Sequence, residues 1–318
     1  MKHYIGIDIG GMSVKAGIVN EEGKIICKDI CQTFPDKHYS VMVKDMYELC
    51  VKILSDAGLR FEDISGVGIG CPGTIYAEKG IITFANNLNF HDTPLVDEFK
   101  KYWKGDAVYI ENDANCAALG EYLFGSGKGS RNCIFITLGT GVGSGFILDG
   151  KIFAGKMGAG AEAGHMVIRI DGEKCTCGRR GCWEAYASAT ALIRDTQKAM
   201  AKNPDSLMHK IAAQYGKVNG RVAFDAAKQN DKAAKQVVKR YIKYIGCGVV
   251  NLINIFRPDK VLIGGGISNE GDYFIKLIQR YVNRYHYGGK INPRVKVVRA
   301  SLLNDAGIIG AASLAMNK

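Results

Sequence analysis

Nowhere in the 318 residues does an apolar run approach the ~20 needed to cross a bilayer, which argues against a membrane partner. Nor does a secretory leader show itself. Met1-Lys2-His3-Tyr4-Ile5-Gly6-Ile7-Asp8 enters a strand-like pattern at once and places an Asp inside it. A disulfide framework is missing too. Seven of the ten cysteines (Cys27, Cys31, Cys50, Cys71, Cys116, Cys133 and Cys247) are scattered and mostly flanked by apolar residues, as reduced core thiols are. Together these absences predict a cytoplasmic protein. Hydrophobic residues at 47% and charged residues at 23% are those of a soluble globular chain. The length exceeds one typical core, so two domains or one large α/β unit are expected.

Acidic residues are the scarcer charge, 31 against 42 Lys and Arg, for a net charge of +11. A nucleic-acid partner does not follow from that. The densest basic stretch, Lys276 to Arg299, interleaves Arg280 and Arg284 with Phe274, Ile275, Ile278 and Val282 at helical spacing. It reads as the solvated face of an amphipathic helix. A protein that handles a phosphorylated anion needs no further partner to explain its charge.

A Walker A motif is also absent, although glycine loops are plentiful. Gly68-Ile69-Gly70-Cys71-Pro72-Gly73 fits G-x-G-x-x-G, but Pro72 and Gly73 lead into Thr74-Ile75-Tyr76, so the chain is expected to stay extended. A dinucleotide fingerprint requires a helix there. More telling is a plan that occurs twice. Residues 4–30 and 133–153 each run strand, glycine loop, strand, tight turn, strand. The loops are Asp8-Ile9-Gly10-Gly11-Met12-Ser13 and Leu138-Gly139-Thr140-Gly141-Val142-Gly143. Either could be a plain tight turn; as a pair they suit phosphate clamping by backbone N–H groups. Gly264-Gly265-Gly266, after a strand at 260–264, would let backbone approach a nucleotide base or ribose. Helices are expected at 40–57, 114–124, near 185–201, at 231–256 and from about 306, with further strands at 64–70 and 107–110. The alternation predicts an α/β fold of two lobes with a cleft between them.

The richest stretch lies between His165 and Trp183. His165, Cys175, Cys177 and Cys182 supply one imidazole and three thiolates, a soft ligand set that favours zinc. Gly178 and Gly181 would let a knuckle turn tightly around the ion. Four protein ligands leave no open position, so the ion is expected to be structural, and Glu162 and Glu184 bracket it. Elsewhere, Glu111-Asn112-Asp113-Ala114-Asn115 falls where a strand ends and a helix begins. Asp113 could serve as a helix cap. Equally, a carboxylate at the carboxyl end of an α/β strand can orient a hydroxyl and accept its proton during phosphoryl transfer.

With these residues in view, the sequence resembles the ROK sugar kinases (repressors, open reading frames and kinases), and more narrowly the bacterial glucokinases among them. The matching pieces run in order along nearly the whole chain: DIGGMSVK, GIGCPG, ANNLNF, ENDAN, TLGTGVGSG, AEAGH, CTCGRRGCWE, VLIGGGIS and NDAGIIGAA. The resemblance implies an actin-like ATPase fold of two ribonuclease-H-like lobes. The small N-terminal lobe would comprise 1–115 plus about 300–318, and the large lobe 116–299 would carry the zinc knuckle.

The resemblance also implies an activity, the ATP-dependent phosphorylation of a hexose, with D-glucose ahead of N-acetylmannosamine, mannose, allose and fructose. A repressor of this family needs a helix-turn-helix before the first strand, and only three residues precede Tyr4. An enzyme is therefore expected, acting on a small sugar and forming a homodimer. Asp113 corresponds to the general base. Asn112, Glu162, His165 and Glu184 correspond to hydroxyl-binding residues, with Gly73 and Asn87 on the other side of the sugar. Asp8, Gly10, Gly11, Met12 and Ser13 correspond to the first phosphate loop, with Asp8 near Mg2+. Thr140, Gly141 and Gly143 correspond to the second loop, and Gly264, Gly265 and Gly266 to the adenosine site. Met12 departs from the family's usual Thr and removes a hydroxyl donor, although Ser13 is adjacent. Phe90 stands in place of a usual Trp.

Overall fold

The computed structural model describes residues 2–33, 38–85 and 88–316. The chain divides into two compact units, Met1–Phe135 with Gly145–Ala161 and Ser301–Lys318, and Ile136–Ser144 with Glu162–Ala300.

In the first unit, β1 (His3–Ile9) is buried along nearly its whole length, as a strand covered on both faces must be. It pairs antiparallel with β2 (Ser13–Asn20), which pairs antiparallel with β3 (Ile25–Gln32). On its other side β1 runs parallel to β4 (Ile64–Cys71). Three short antiparallel strands follow, β5 (Thr74–Tyr76), β6 (Ile81–Ala85) and β7 (Phe90–Thr93). The fifth strand of the main sheet, β8 (Val108–Asn112), is parallel to β4, giving the order β3-β2-β1-β4-β8. No helix follows Gly73, in keeping with the extended chain expected there.

Helix α1 (Tyr39–Ala57) buries Met42, Val43, Met46, Leu49, Cys50, Ile53 and Leu54, an apolar stripe at helical spacing. Helix α2 (Leu95–Lys100) is short, and α3 (Asp113–Phe124) leaves directly from β8. Glycines set how closely the last helix approaches. A Cβ at Gly6 or Gly68 would collide with the carbonyls of Ile308 or Ala311, and one at Gly310 with that of Cys116 in α3. The last described helix (Ala306–Met316) therefore packs backbone-close on β1, β4 and α3.

The second five-stranded sheet repeats the plan. β9 (Cys133–Leu138), β10 (Val142–Leu148) and β11 (Lys151–Ile152) are followed by β12 (Lys260–Gly264) and β13 (Lys296–Arg299), in the order β11-β10-β9-β12-β13. Asp149 and Gly150 turn β10 into β11 with φ of 50° and 75°, the paired positive values that a two-residue hairpin favours. The duplicated α/β plan expected from the sequence is present.

The helices between these strands are α4 (Glu184–Ala187), α5 (Ala189–Lys202), α6 (Leu207–Gln214), α7 (Val222–Lys228), α8 (Lys232–Phe256) and α9 (Asp272–Tyr285); the terminal helix is α10. The single helix expected near 185–201 is two, because the Ser188 hydroxyl accepts the Ala191 N–H and starts a new helix. Trp183 is fully buried. Its indole N–H donates to the Tyr244 carbonyl at 2.8 Å, and Gly248 of α8 leaves room for the ring.

Candidate active site

The first unit gathers one set of expected residues at the carboxyl ends of its parallel strands. Register pairs Asp8 with Gly70, Gly70 with Glu111 and Cys71 with Asn112, so β1, β4 and β8 end in one row. Asn112 caps α3, its side-chain oxygen accepting from Ala114 N (2.9 Å) and Asn115 N (3.2 Å). Its amide nitrogen donates to the Gly73 carbonyl at 3.0 Å. Asp113 is thus the first helical residue rather than the cap, and its Oδ1 accepts from Ala114 N at 2.8 Å. Gly73, Asn112 and Asp113 are brought together; Asn87 lies outside the described residues.

Asp8 sits 3.4 Å from the Lys15 ammonium, in the space left by the missing side chain of Gly307. Burial pushes its carboxyl above the ordinary range, and Lys15 opposes that shift. The loop after it closes through Gly10 N–H to the Ser13 carbonyl at 2.8 Å, while Thr33 donates to the carbonyls of Gly10 and Met12. Gly11 and Met12 are left exposed.

The second unit holds the other set. Gly139 N–H donates to the Gly141 carbonyl at 3.0 Å, and the Thr190 hydroxyl to the Thr140 carbonyl at 2.8 Å. Glu184 accepts from Val142 N at 3.0 Å, and a Cβ at Gly141 would strike its carboxylate. The loop and Glu184 are therefore one built unit. Gly265, at a φ of 78°, lies against the Leu138 backbone, where any side chain would collide. The glycines after β12 are thereby set beside this loop.

His165, Cys175, Cys177 and Cys182 converge, their ligand atoms all within 4.8 Å of one another, a group that could hold one metal ion. His165 Nδ1 is 3.6 Å from Cys175 Sγ, and Cys177 Sγ is 3.7 Å from Cys182 Sγ. Glu184 Oε1 lies 3.7 Å from Cys175 Sγ and accepts from the Thr176 hydroxyl at 3.2 Å. Glu162 is joined to His165 by one backbone turn. Although its side chain is exposed, the protein packed around it raises its carboxyl above the ordinary range; His165 lowers it and Glu184 adds to the rise.

The ROK family model matches residues 4–318. The chain belongs to the ROK family. It is 39% identical to the glucokinase of Thermotoga maritima over 98% of this chain and 96% of that one. A 28% identity extends to the xylose repressor of Caldicellulosiruptor bescii, over 98% of this chain and 78% of the repressor. Among solved structures, a ROK family glucokinase from Streptomyces griseus in complex with glucose and AMPPNP superposes with a TM-score of 0.85 at 34% identity, covering 99% and 100% of the two chains. The duplicated sheets are those of the actin-like ATPase fold that ROK sugar kinases share.

Beside the residues expected from the sequence stands one that was quoted there without a role. Glu111 is buried, and its Oε1 accepts from Asn112 N (2.7 Å) and from the Asn115 side chain (3.1 Å). It holds the Asn112–Asp113 turn from within β8. Burial raises its carboxyl above the ordinary range, with the two hydrogen bonds pulling the other way. The folded chain therefore binds this proton more tightly than the unfolded one. The resulting stability is present in full at low pH and is lost as pH rises through the raised folded value. Glu111→Gln keeps an acceptor for both donors and removes the titration. Denaturant midpoints measured from mildly acidic to neutral pH should vary less in that variant than in wild type; an unchanged slope would show that Glu111 does not titrate as described.

Proposed function

We propose that the chain is an ATP-dependent hexose kinase that converts D-glucose to glucose 6-phosphate. The observation that carries this reading is the Asp113 carboxylate at the start of α3, held by the Asn112 cap and Glu111 on the strand-end row that includes Asp8. Asp113 accepts the proton of the sugar's 6-hydroxyl as that oxygen attacks the γ-phosphorus. The bond from phosphorus to the β–γ bridging oxygen breaks, and ADP leaves. Gly73, Asn87, Asn112, Glu162, His165 and Glu184 bind the sugar hydroxyls. The Gly10–Ser13 loop, through the exposed Gly11 and Met12 amides, and the loop of Thr140, Gly141 and Gly143 take the phosphates, and Gly264–Gly266 the adenosine. Backbone amides suffice in the first loop despite Met12. Mg2+, when bound with the nucleotide, supplies charge neutralisation, and Asp8 is the residue that would hold it.

The reading includes a structural zinc at His165, Cys175, Cys177 and Cys182. Tetrahedral Zn–S bonds of about 2.3 Å and Zn–N bonds of about 2.0 Å put two sulfurs about 3.8 Å apart and sulfur and nitrogen about 3.5 Å apart. The separations of 3.7 Å and 3.6 Å support this reading, with all four ligand atoms within 4.8 Å of one another. With Nδ1 turned to the sulfurs, His165 offers Nε2 to a sugar hydroxyl, and its tautomer is set by that arrangement. The same reading takes the lobes as 1–115 with about 300–318 and 116–299, and the protein as a cytoplasmic homodimer. Among the described residues, no helix is long and apolar enough to cross a membrane.

Coupled ADP release across glucose, mannose, fructose, allose and N-acetylmannosamine tests the substrate. The highest kcat/KM is expected with glucose. A higher value with another sugar would move the assignment to it, and release with none would end the kinase reading.

A further inference from the structure

One face of the second unit breaks a local rule of helix composition. α8 carries no Asp or Glu from Lys232 to Phe256, and α9 carries only Asp272. Lys235, Lys239 and Lys243 recur every fourth residue on α8, and Lys276, Arg280 and Arg284 do so on α9. Each row stacks like charges about 6 Å apart, an arrangement that weakens a helix by itself. The helices pack so that Lys235, Lys239, Lys243, Arg280 and Arg284 line one groove of ≈ 330 Å³. Among the described residues, Lys239, Lys243, Arg280 and Arg284 have no ion-pair partner. Among the described residues no carboxylate pairs with these four cations to offset the repulsion, and an uncompensated departure from helix rules marks function.

Aromatic faces lie in the same groove. Tyr281 rests on Gly246 of α8, where any side chain would collide with the ring. Tyr285 lies 4.4 Å from it between centroids, with the Arg284 guanidinium 5.5 Å from the Tyr285 ring. Tyr285 and Tyr273, also in the groove, are each 51% exposed. None of these residues belongs to the site described above.

We propose that this groove is a second, non-catalytic site for a nucleoside polyphosphate. The ammonium and guanidinium rows would take phosphate oxygens, with Arg280 and Arg284 able to grip two at once. The base would stack on a tyrosine face, as bases do on aromatic platforms. The volume lies in the range of small-molecule sites. An acidic peptide would use the cations and leave the ring faces idle. A second copy of this face would bring like charges together.

Equilibrium dialysis of labelled ADP, without sugar and at low ionic strength, tests the proposal on wild type and on Lys243→Glu/Arg280→Glu. Two sites are expected in wild type and one in the double variant, its second affinity falling by more than about 100-fold, with kcat and the KM for ATP unchanged. One wild-type site that persists in the variant would overturn the groove. One wild-type site that the variant loses would keep the groove and retract the catalytic ATP site instead. Inorganic tripolyphosphate should compete at least about 10-fold more weakly than ADP for want of a stacking ring; equal competition would overturn the nucleoside assignment.

Discussion

Asp113→Asn is expected to lower kcat by about 10²–10⁴-fold, the range that follows loss of a positioned base, while Tm and the KM for glucose stay near wild type. The substitution is nearly isosteric. The amide oxygen can still accept from Ala114 N, as the carboxylate does at 2.8 Å. The helix start does not depend on the exchanged group, because Asn112 supplies the cap and Glu111 holds Asn112 from behind. Loss of rate with an intact fold would therefore report the missing proton acceptor alone. Circular dichroism and thermal melts check the fold, and the coupled assay checks the rate. Turnover near wild type would remove Asp113 from the chemistry.

Zinc removal is expected to act elsewhere, on sugar binding and on the stability of the second unit. Glu184 spans the two features at issue, with one oxygen at the second glycine loop and the other near Cys175 and Thr176. Freeing the cysteines would loosen Glu184 and His165 together. Two hydrogen bonds involving charged groups, at about 1.5 kcal/mol or more each, correspond to a KM for glucose raised by about 100-fold. Cys182→Ser should have the same effect, since it removes one of the four converging ligand atoms, and a buried one. One zinc per chain by elemental analysis, lost with the rise in KM and a fall in Tm, is the expected result. Unchanged glucose affinity and Tm after full removal would contradict a scaffolding role for the ion.

Features with a strict local cause were readable from the sequence. Alternation broken by glycine at 4–30 and again at 133–153 predicted two hairpin-led sheets, and both are present. The His and Cys spacing predicted a cluster whose ligand atoms do converge. Other features were not legible, most of them because they depend on tertiary partners. Asn112 rather than Asp113 caps α3 because its amide also reaches Gly73, 39 residues away. The work of Glu111 depends on its side chain turning back to the turn that follows its own strand. The basic stretch from Lys276 is the exposed face of α9, as expected, but the second cationic row that α8 sets beside it was not legible. Helix 185–201 divides at Ser188, where the local preference of serine for a cap prevails over an uninterrupted periodic pattern.

The central claim is that this chain moves the γ-phosphoryl group of ATP to the 6-hydroxyl of glucose with Asp113 as base. Phosphorus NMR of glucose, ATP and Mg2+ with wild-type protein and with Asp113→Asn tests it most directly. Wild type should produce glucose 6-phosphate and ADP in equal amounts, and the variant almost none in the same time. Inorganic phosphate without sugar phosphate in wild type, or equal sugar phosphate from both proteins, would contradict it.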